Sequence, residues 1–487
     1  MKKHITSWLA AAVVTMTAMA GCADKSYYEL KYPTNASTEP LPEGLPDVGN
    51  IHTYKAPLYW TVYEYMITNQ WAQKNAIMGM DEWVELLDWF KENLLPYGYD
   101  MVCTDGAGAT AVDDGGVYTT RRFDWYEGTD FRKLVELAHE RGIKVGIYDN
   151  PLWMPMRGVT DDMLVPGTQY TLGSLKYDED IDKVYYPNVN DDWWFTWYIP
   201  SHPGCRELID GFFKHYHDMG VDMIRMDFLS WFEDGWSRVE HDYCSRGYGR
   251  ANYARWLGWC AESAKKYGIF LSLVMPNMYN DAELESRYGH MARIVSDTHI
   301  GTWKHTSGGE MGSVWKNWPS ALNMFDGFTY WSHLSGKDKL ILDGDFTRLN
   351  TYANDDEKEF TISIQLLAGG PIAVADRPST IGDNLRFYQN REMLALNADR
   401  FVGKPMDDRL LSPGSNIWHG AMSDGSYIIG FFNREEEPKS FSLKFSQLGL
   451  EGEYKVRDLW RHTDEGTATE LKPTVPAHGC KIVKLTK

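Results

Sequence analysis

Arg225 and Asp227 stand two residues apart in the stretch GVDMIRMDFLSW, residues 220–231. Around them Val221, Met223, Ile224 and Met226 are apolar and follow a turn-forming Gly220, so the stretch reads as a short buried strand. Side chains alternate along a strand, which puts this cation and this carboxylate on one face. A second carboxylate, Asp297, closes another strand-like stretch, RIVSD, with Arg293 four residues before it. Two carboxylates facing each other across one bond suit hydrolysis of a glycoside. One attacks or stabilises an oxocarbenium-like centre, and the other gives and takes the proton. In this reading Asp227 is the nucleophile, kept ionised by the neighbouring Arg225, and Asp297 is the acid/base, which calls for a raised pKa.

Other strand-like stretches also finish in polar residues. Asp105 ends YDMVCTDG, Asp149 ends KVGIYDN, Asn277 ends IFLSLVMPN and Asp376 ends GPIAVAD. Aspartate is a common turn former, so any one of these is ordinary. Carboxylates gathered on one rim are less so, because they repel one another unless something binds there.

The elements that would gather them alternate from residue 55 to 390. Strand-like LYWTV (58–62), YDMVCTDG (99–106), KVGIYDN (144–150), DMIRMDF (222–228), IFLSLVMPN (269–277), ARIVSD (292–297), KLILDGD (339–345) and GPIAVAD (370–376) are mostly separated by helical patterns. Among the helical patterns, TDFRKLVELAHERG opens on a capping Thr129 and stops at Gly142. This is the α/β pattern of a parallel sheet with helical crossovers, and eight units predict a (β/α)8 TIM barrel with its strand ends on one functional rim. From 391 to 487, short alternating strands such as SYIIGFFN (426–433) and KIVKLT (481–486) predict a C-terminal antiparallel β-sandwich.

At the other end, Lys2 and Lys3 precede an apolar run from Trp8 to Ala20, followed by AMAGC. Residues 1–21 read as a lipoprotein signal peptide and Cys22 as the lipidated residue. Residues 22–54, with Pro33, Pro40, Pro42 and Pro46, read as a linker. The expectation is an exported lipoprotein of a bacterial outer membrane or periplasm that meets the membrane through its lipid anchor only.

The 487 residues carry a formal charge of −19 and no basic stripe, which excludes a nucleic-acid partner. Aromatic residues make up 14% of the chain, enough to build cores and leave some rings to stack on sugars, notably in the insertion over 185–204. The cysteines after Cys22, namely Cys103, Cys205, Cys244, Cys260 and Cys480, form no CxxC pair. No His-x-His occupies the first strand. His202, His290, His299, His305 and His333 lack ligand spacing, and DGDF (343–346) has too few further ligands for a calcium loop. No metal and no cofactor is expected. Glu310, in HTSGGEMG, reads as a solvated loop carboxylate.

These stretches together resemble glycoside hydrolase clan D, chiefly family 27, the α-galactosidase and α-N-acetylgalactosaminidase group. RMD resembles the family's nucleophile stretch and gives Asp227 that role. RIVSD resembles its acid/base stretch and assigns Arg293 and Asp297. The resemblance further implies sugar contacts from Trp60, Asp105, Tyr148, Asp149, Arg225 and Asn277. The segment EFTISIQLLAGGPIAVADRP and the ending YKVRDLW…HGCKIVKL are similar to the family's last barrel unit and its sandwich. Three departures fall on substrate recognition. Asp105 is followed by Gly106 where the family has a second Asp, Arg225 replaces a Lys, and the fifth-strand loop VMPNM differs. The resemblance implies a retaining, exo-acting hydrolase removing an α-linked galactose-like sugar from an oligo- or polysaccharide, with β-L-arabinopyranoside as an alternative. A non-enzymatic alternative is a carbohydrate-binding lipoprotein.

Overall fold

The computed structural model describes residues 36–72, 77–104, 109–112, 118–121, 130–154, 161–175, 196–236, 245–298, 301–308 and 323–487. Its main sheet is parallel throughout and contains β1 (Leu58–Thr61), β2 (Met101–Cys103), β3 (Lys144–Tyr148), β4 (Met223–Met226), β5 (Phe270–Leu273), β6 (Met291–Arg293), β7 (Ile341–Asp343), β8 (Phe346–Thr347) and β9 (Ile372–Val374). Their lateral order is β7-β6-β5-β4-β3-β2-β1-β9-β8. The two ends of that order, β7 and β8, are separated in the chain only by Gly344 and Asp345. The run 341–347 is therefore one strand's length broken in two. Its first half pairs with β6, Asp343 opposite Arg293, and its second half with β9, Phe346 opposite Ala373. That closes the ring as the expected (β/α)8 barrel.

The break has a local cause. A side chain at Gly344 would come within 2.8 Å of Met324 and Phe328, and Asp345 takes φ +67°. The sequence reading took 339–345 as one strand and left out β8.

Side-chain alternation sorts the strands into two layers. Tyr59, Met101, Cys103, Met223, Phe270, Met291 and Phe346 point inward and pack as a separate barrel core. Their outward neighbours, among them Trp60, Val102, Ile147, Ile224 and Met226, pack under the helices. Those helices include α1 (Met80–Asn93), α2 (Phe131–Glu140), α3 (Cys205–Met219), α4 (Leu229–Asp234), α5 (Arg250–Tyr267), α6 (Tyr279–Tyr288), α7 (Met324–Tyr330) and α8 (Asp355–Leu367). In α2 the buried Phe131, Leu134, Val135 and Ala138 recur at helical spacing, and the N-cap is Asp130, which accepts from Lys133 N at 3.1 Å, rather than Thr129.

The region read as a linker is, from residue 36, a strap docked on α5 and α6. Val48 and Ile51 are buried, and the Pro46 carbonyl accepts from Tyr288 Oη at 2.9 Å and Arg287 at 3.0 Å. The Glu39 carboxylate accepts from the backbone N–H groups of Arg250 (2.9 Å) and Ala251 (3.0 Å), capping α5, whose own N-cap is a glycine. Proline content suggested a spacer, but apolar residues every few positions let the extended chain pack.

The C-terminal sheet holds β10 (Lys404–Pro405), β11 (Ile417–Ala421), β12 (Tyr427–Phe432), β13 (Tyr454–Asp458), β14 (Thr463–Ala468) and β15 (Cys480–Thr486), antiparallel in the order β10-β11-β12-β15-β13-β14. One face builds its own core from Ile429, Phe431, Val456 and Val483, covered by Leu443 and Val475 of two short ladders. The other face docks on the barrel, with Phe432 4.9 Å from Phe360 of α8. The helix α9 (Arg391–Ala398) still packs in the barrel's core, so the antiparallel strands begin at Lys404 rather than 391. Cys205, Cys260 and Cys480 are free thiols and buried, and Cys103 is buried in the barrel core. No described helix is long and apolar enough to cross a membrane.

Candidate active site

Asp227 lies one residue past β4, at the mouth of the barrel. Phe228, with φ +62°, turns the chain sharply into α4. The carboxylate is held on both oxygens: Oδ2 accepts from Tyr148 Oη at 2.7 Å and Oδ1 from Phe228 N at 2.5 Å. Tyr148 ends β3 directly opposite Arg225, and Asn150 Nδ2 donates to the Asp227 carbonyl at 3.1 Å. Only 8% of Asp227 is exposed. Burial pushes its carboxyl above the usual aspartate range, and nearby Asp297 adds to this. Arg293, Tyr148 and the Phe228 N–H oppose the rise.

Arg293 ends β6 and points inward. One guanidinium nitrogen sits 2.8 Å from Asp297 Oδ1 and another 3.4 Å from Asp345 Oδ1. Burial alone would lower the pKa of this arginine, but the charges of Asp345, Asp297 and Asp227 outweigh it and drive it up. The side chain of Asp297 is one-quarter exposed (25%), the more open of the two carboxylates. The structure thus brings Asp227, Asp297 and Arg293 together. A buried carboxylate oriented by two donors can attack, and a more open one can exchange protons with a leaving group and with water.

Arg225 does not take the part assigned from sequence. It is fully buried, donating to Tyr59 Oη at 2.9 Å and to Asp343 Oδ2 at 3.1 Å, and it stands 3.5 Å from Asp345 Oδ1 with its guanidinium over the Phe346 ring. The cation that acts most strongly on Asp227 is Arg293, and burial still leaves Asp227 raised rather than lowered. Two residues along a strand is about 6.6 Å, so Arg225 belongs one layer deeper than Asp227. Asp343 and Asp345, read from sequence as a weak calcium hint, are its counter-charges.

Two further expectations are corrected by the pleat, and a third, Asn277, by its packing against α4. Trp60 is on the helix side of β1, its Nε1 donating to the Asp376 carbonyl at 2.9 Å and its ring against Trp83 of α1. The half-buried aromatic on the interior side is Tyr63, 4.0 Å from Phe346. Asp149 also faces the helices, where Tyr216 of α3 donates to its Oδ2 at 2.5 Å. Asn277 is buried, and its Nδ2 donates to Glu233 (2.9 Å) and Asp234 (3.0 Å) of α4. Asp376 is likewise structural, accepting from Leu349 N, Asn350 N and Tyr388 Oη. Asp105, Cys22, Cys244, His299, Glu310 and most of the aromatic insertion lie outside the described residues.

On α4, which follows Asp227, lies a second acidic group that sequence reasoning missed. Glu233 is buried between Arg250 (3.1 Å) and Asn277, and burial, reinforced by Glu285, pushes its carboxyl up to about 8. The adjoining chain is strained into the first turn of α6: Met275, Met278, Asn280, Asp281 and Ala282 all have φ between +54° and +57°. Left-handed backbone costs a non-glycine residue about 1–2 kcal/mol. The strap latches this turn, with Ser37 N donating to Asn280 Oδ1 at 3.0 Å.

Comparison with known proteins places this geometry among relatives. Residues 412–485 match the Alpha galactosidase C-terminal beta sandwich domain. The chain is 32% identical over 512 residues to an isomalto-dextranase from Arthrobacter globiformis, covering 99% of this chain and 75% of that protein. The structure of that enzyme complexed with panose superposes with a TM-score of 0.79 at 31% identity, over 93% of this chain and 76% of the other. An α-galactosidase from Oryza sativa subsp. japonica is 26% identical over 267 residues, 53% of this chain and 58% of its own. A family 27 β-L-arabinopyranosidase from Geobacillus stearothermophilus shares the fold, with a TM-score of 0.67 at 17% identity over 89% of this chain and 96% of the other.

Proposed function

Since the chain belongs to glycoside hydrolase family 27, we propose that it is a retaining hydrolase in which Asp227 is the nucleophile and Asp297 the acid/base. The observation that carries this reading is the pairing of those two carboxylates around Arg293 at the barrel mouth. Asp227 attacks the anomeric carbon while Asp297 gives its proton to the departing oxygen. The glycosyl–Asp227 ester then yields to a water that Asp297 deprotonates, which restores both groups. The positive charge of Arg293 opposes burial and favours the ionised Asp227 the first step needs. Tyr148 orients that carboxylate and lies where a sugar would enter; Asp105 is proposed as a further sugar contact.

For the substrate we propose an α-linked glucan of the dextran type. Support comes from similarity to an isomalto-dextranase along 99% of the chain, against 53% for the rice α-galactosidase. The departures at Gly106 and in the VMPNM loop also fall on sugar recognition rather than on the carboxylates. The second reading is removal of an α-linked galactose-like sugar, favoured by the match of residues 412–485 to the α-galactosidase sandwich. A panel of dextran, panose, raffinose and aryl α-galactoside, α-glucoside and β-L-arabinopyranoside separates them. Turnover of dextran and panose is expected, and galactoside cleavage alone would replace the glucan reading with the galactose one. Asp227→Ala is expected to abolish turnover, with partial recovery by azide on an activated aryl glycoside. Unchanged activity removes Asp227 from the mechanism.

We also propose that the protein is exported and lipidated at Cys22, on the strength of the AMAGC stretch. Cys22→Ala should release it from membranes into the soluble fraction.

A further inference from the structure

We propose that Asp345 is the positioning residue for the acid/base, fixing Asp297 through its neighbour Thr298 and through Arg293. The inference rests on the role just proposed for Asp297. Past β6, Ile294 N still donates to the Asp343 carbonyl at 3.1 Å and Val295 forms a single bridge, and the chain reaches Asp297 without entering a helix. Asp345 adds a side-chain constraint at this point. It is fully buried at the break between β7 and β8. Its Oδ2 accepts from Thr298 N at 2.8 Å and lies 3.2 Å from Thr298 Oγ1. The same hydroxyl is 2.9 Å from the Phe346 carbonyl, and its one hydrogen serves either acceptor. Oδ1 faces Arg293 at 3.4 Å, and the opposite edge of that guanidinium meets Asp297 at 2.8 Å. Asp345 is itself anchored, its N–H donating to Asp343 Oδ1 at 2.8 Å and its Oδ1 standing 3.5 Å from Arg225.

One carboxylate thus reaches Asp297 from its backbone side and from its charged side. The broken strand explains how. Asp345, left-handed at the break, presents its side chain to the 294–298 segment. The same carboxylate gives both Arg225 and Arg293 a buried counter-charge. An acid misplaced by about 1 Å loses on the order of 100-fold in rate.

Proton donation matters only where the leaving oxygen is basic. An oligosaccharide leaves as an alkoxide and needs the Asp297 proton as its C–O bond breaks, whereas dinitrophenolate leaves without one. The test compares kcat/KM on the unactivated oligosaccharide and on the dinitrophenyl glycoside of the sugar the panel selects. It uses the full chain carrying Asp345→Asn, Thr298→Val or Asp297→Ala. Asp345→Asn is expected to lose about 100-fold on the oligosaccharide and less than about five-fold on the aryl glycoside, with Thr298→Val showing the same split about ten-fold weaker. An equal loss on both substrates, or none on the oligosaccharide, overturns the proposal. If Asp345→Asn does not fold, Thr298→Val decides by the same split. Asp297→Ala separates the two layers of argument. If it splits and the Asp345 and Thr298 variants do not, only the positioning role fails. If Asp297→Ala itself loses equally on both, the acid/base assignment fails and the positioning role with it.

Discussion

Replacing Glu233 by Gln should change the pH dependence of stability in a way that measures how deeply the acidic group on α4 is buried. The carboxyl is pushed up to about 8, against 4.5 for an exposed glutamate, chiefly by burial and then by Glu285, with Asn277 and Arg250 opposing and Asp234 adding to the rise. Because the folded value is raised, the folded state keeps a proton between pH 4.5 and 8 that the unfolded chain has released. Stability therefore falls as pH climbs through that window. At 1.36 kcal/mol per unit the ceiling of the loss is about 4.8 kcal/mol, and coupling to Arg250 and Glu285 reduces it to about 3. Gln never pays this penalty. It gives up one of the two acceptors that meet Arg250 and Asn277, about 1 kcal/mol. The variant should melt slightly below the parent at pH 4.5, match it between pH 5 and 6, and melt well above it at pH 8. Thermal unfolding of both proteins across that range, followed by tryptophan fluorescence, reads the crossing directly. Parallel curves with no crossing would refute the reasoning, because they would mean that Glu233 titrates alike in both states.

Other perturbations probe the mouth and the strap. Tyr148→Phe removes a donor that favours ionised Asp227, so kcat/KM should fall and its acidic limb move to higher pH; a limb that stays in place or moves the other way contradicts the hydrogen bond's role. Arg225→Met strands Asp343 and Asp345 as buried carboxylates without their shared counter-charge, and a loss of about 3–5 kcal/mol should appear as aggregation or a large drop in melting temperature. Glu39→Ala uncaps α5 across the strap, lowering stability by about 1–2 kcal/mol and exposing residues 36–52 to proteases, while activity on small substrates persists.

Much of this architecture is legible in the sequence, because parallel strands announce themselves as apolar runs ending in polar residues. All eight strand-like stretches reappear, and Asp227, Asp297, Arg293 and Tyr148 meet at the mouth. What failed was the side of the strand. Trp60 and Asp149 sit one residue out of phase with the interior, so the pleat turns them to the helices; counting from inward Tyr59 and Arg225-paired Tyr148 would have shown it. The break at Gly344–Asp345 left no periodic signal, since it depends on Phe328 and Met324 pressing from α7. Arg225 was assigned by proximity in sequence, whereas its long side chain finds charges contributed 118 and 120 residues later. The strap was hidden by composition, because proline marks an extended chain and says nothing of whether that chain docks.

The central claim is that Asp227 bonds covalently to the sugar while Asp297 handles the proton. Its most direct test is to quench the enzyme with a 5-fluoroglycosyl fluoride of the sugar the substrate panel selects and to map the adduct by peptide mass spectrometry. The account predicts one added glycosyl mass, on the peptide that contains Asp227. An adduct on another residue, or a first-formed product of inverted anomeric configuration by NMR, would contradict it.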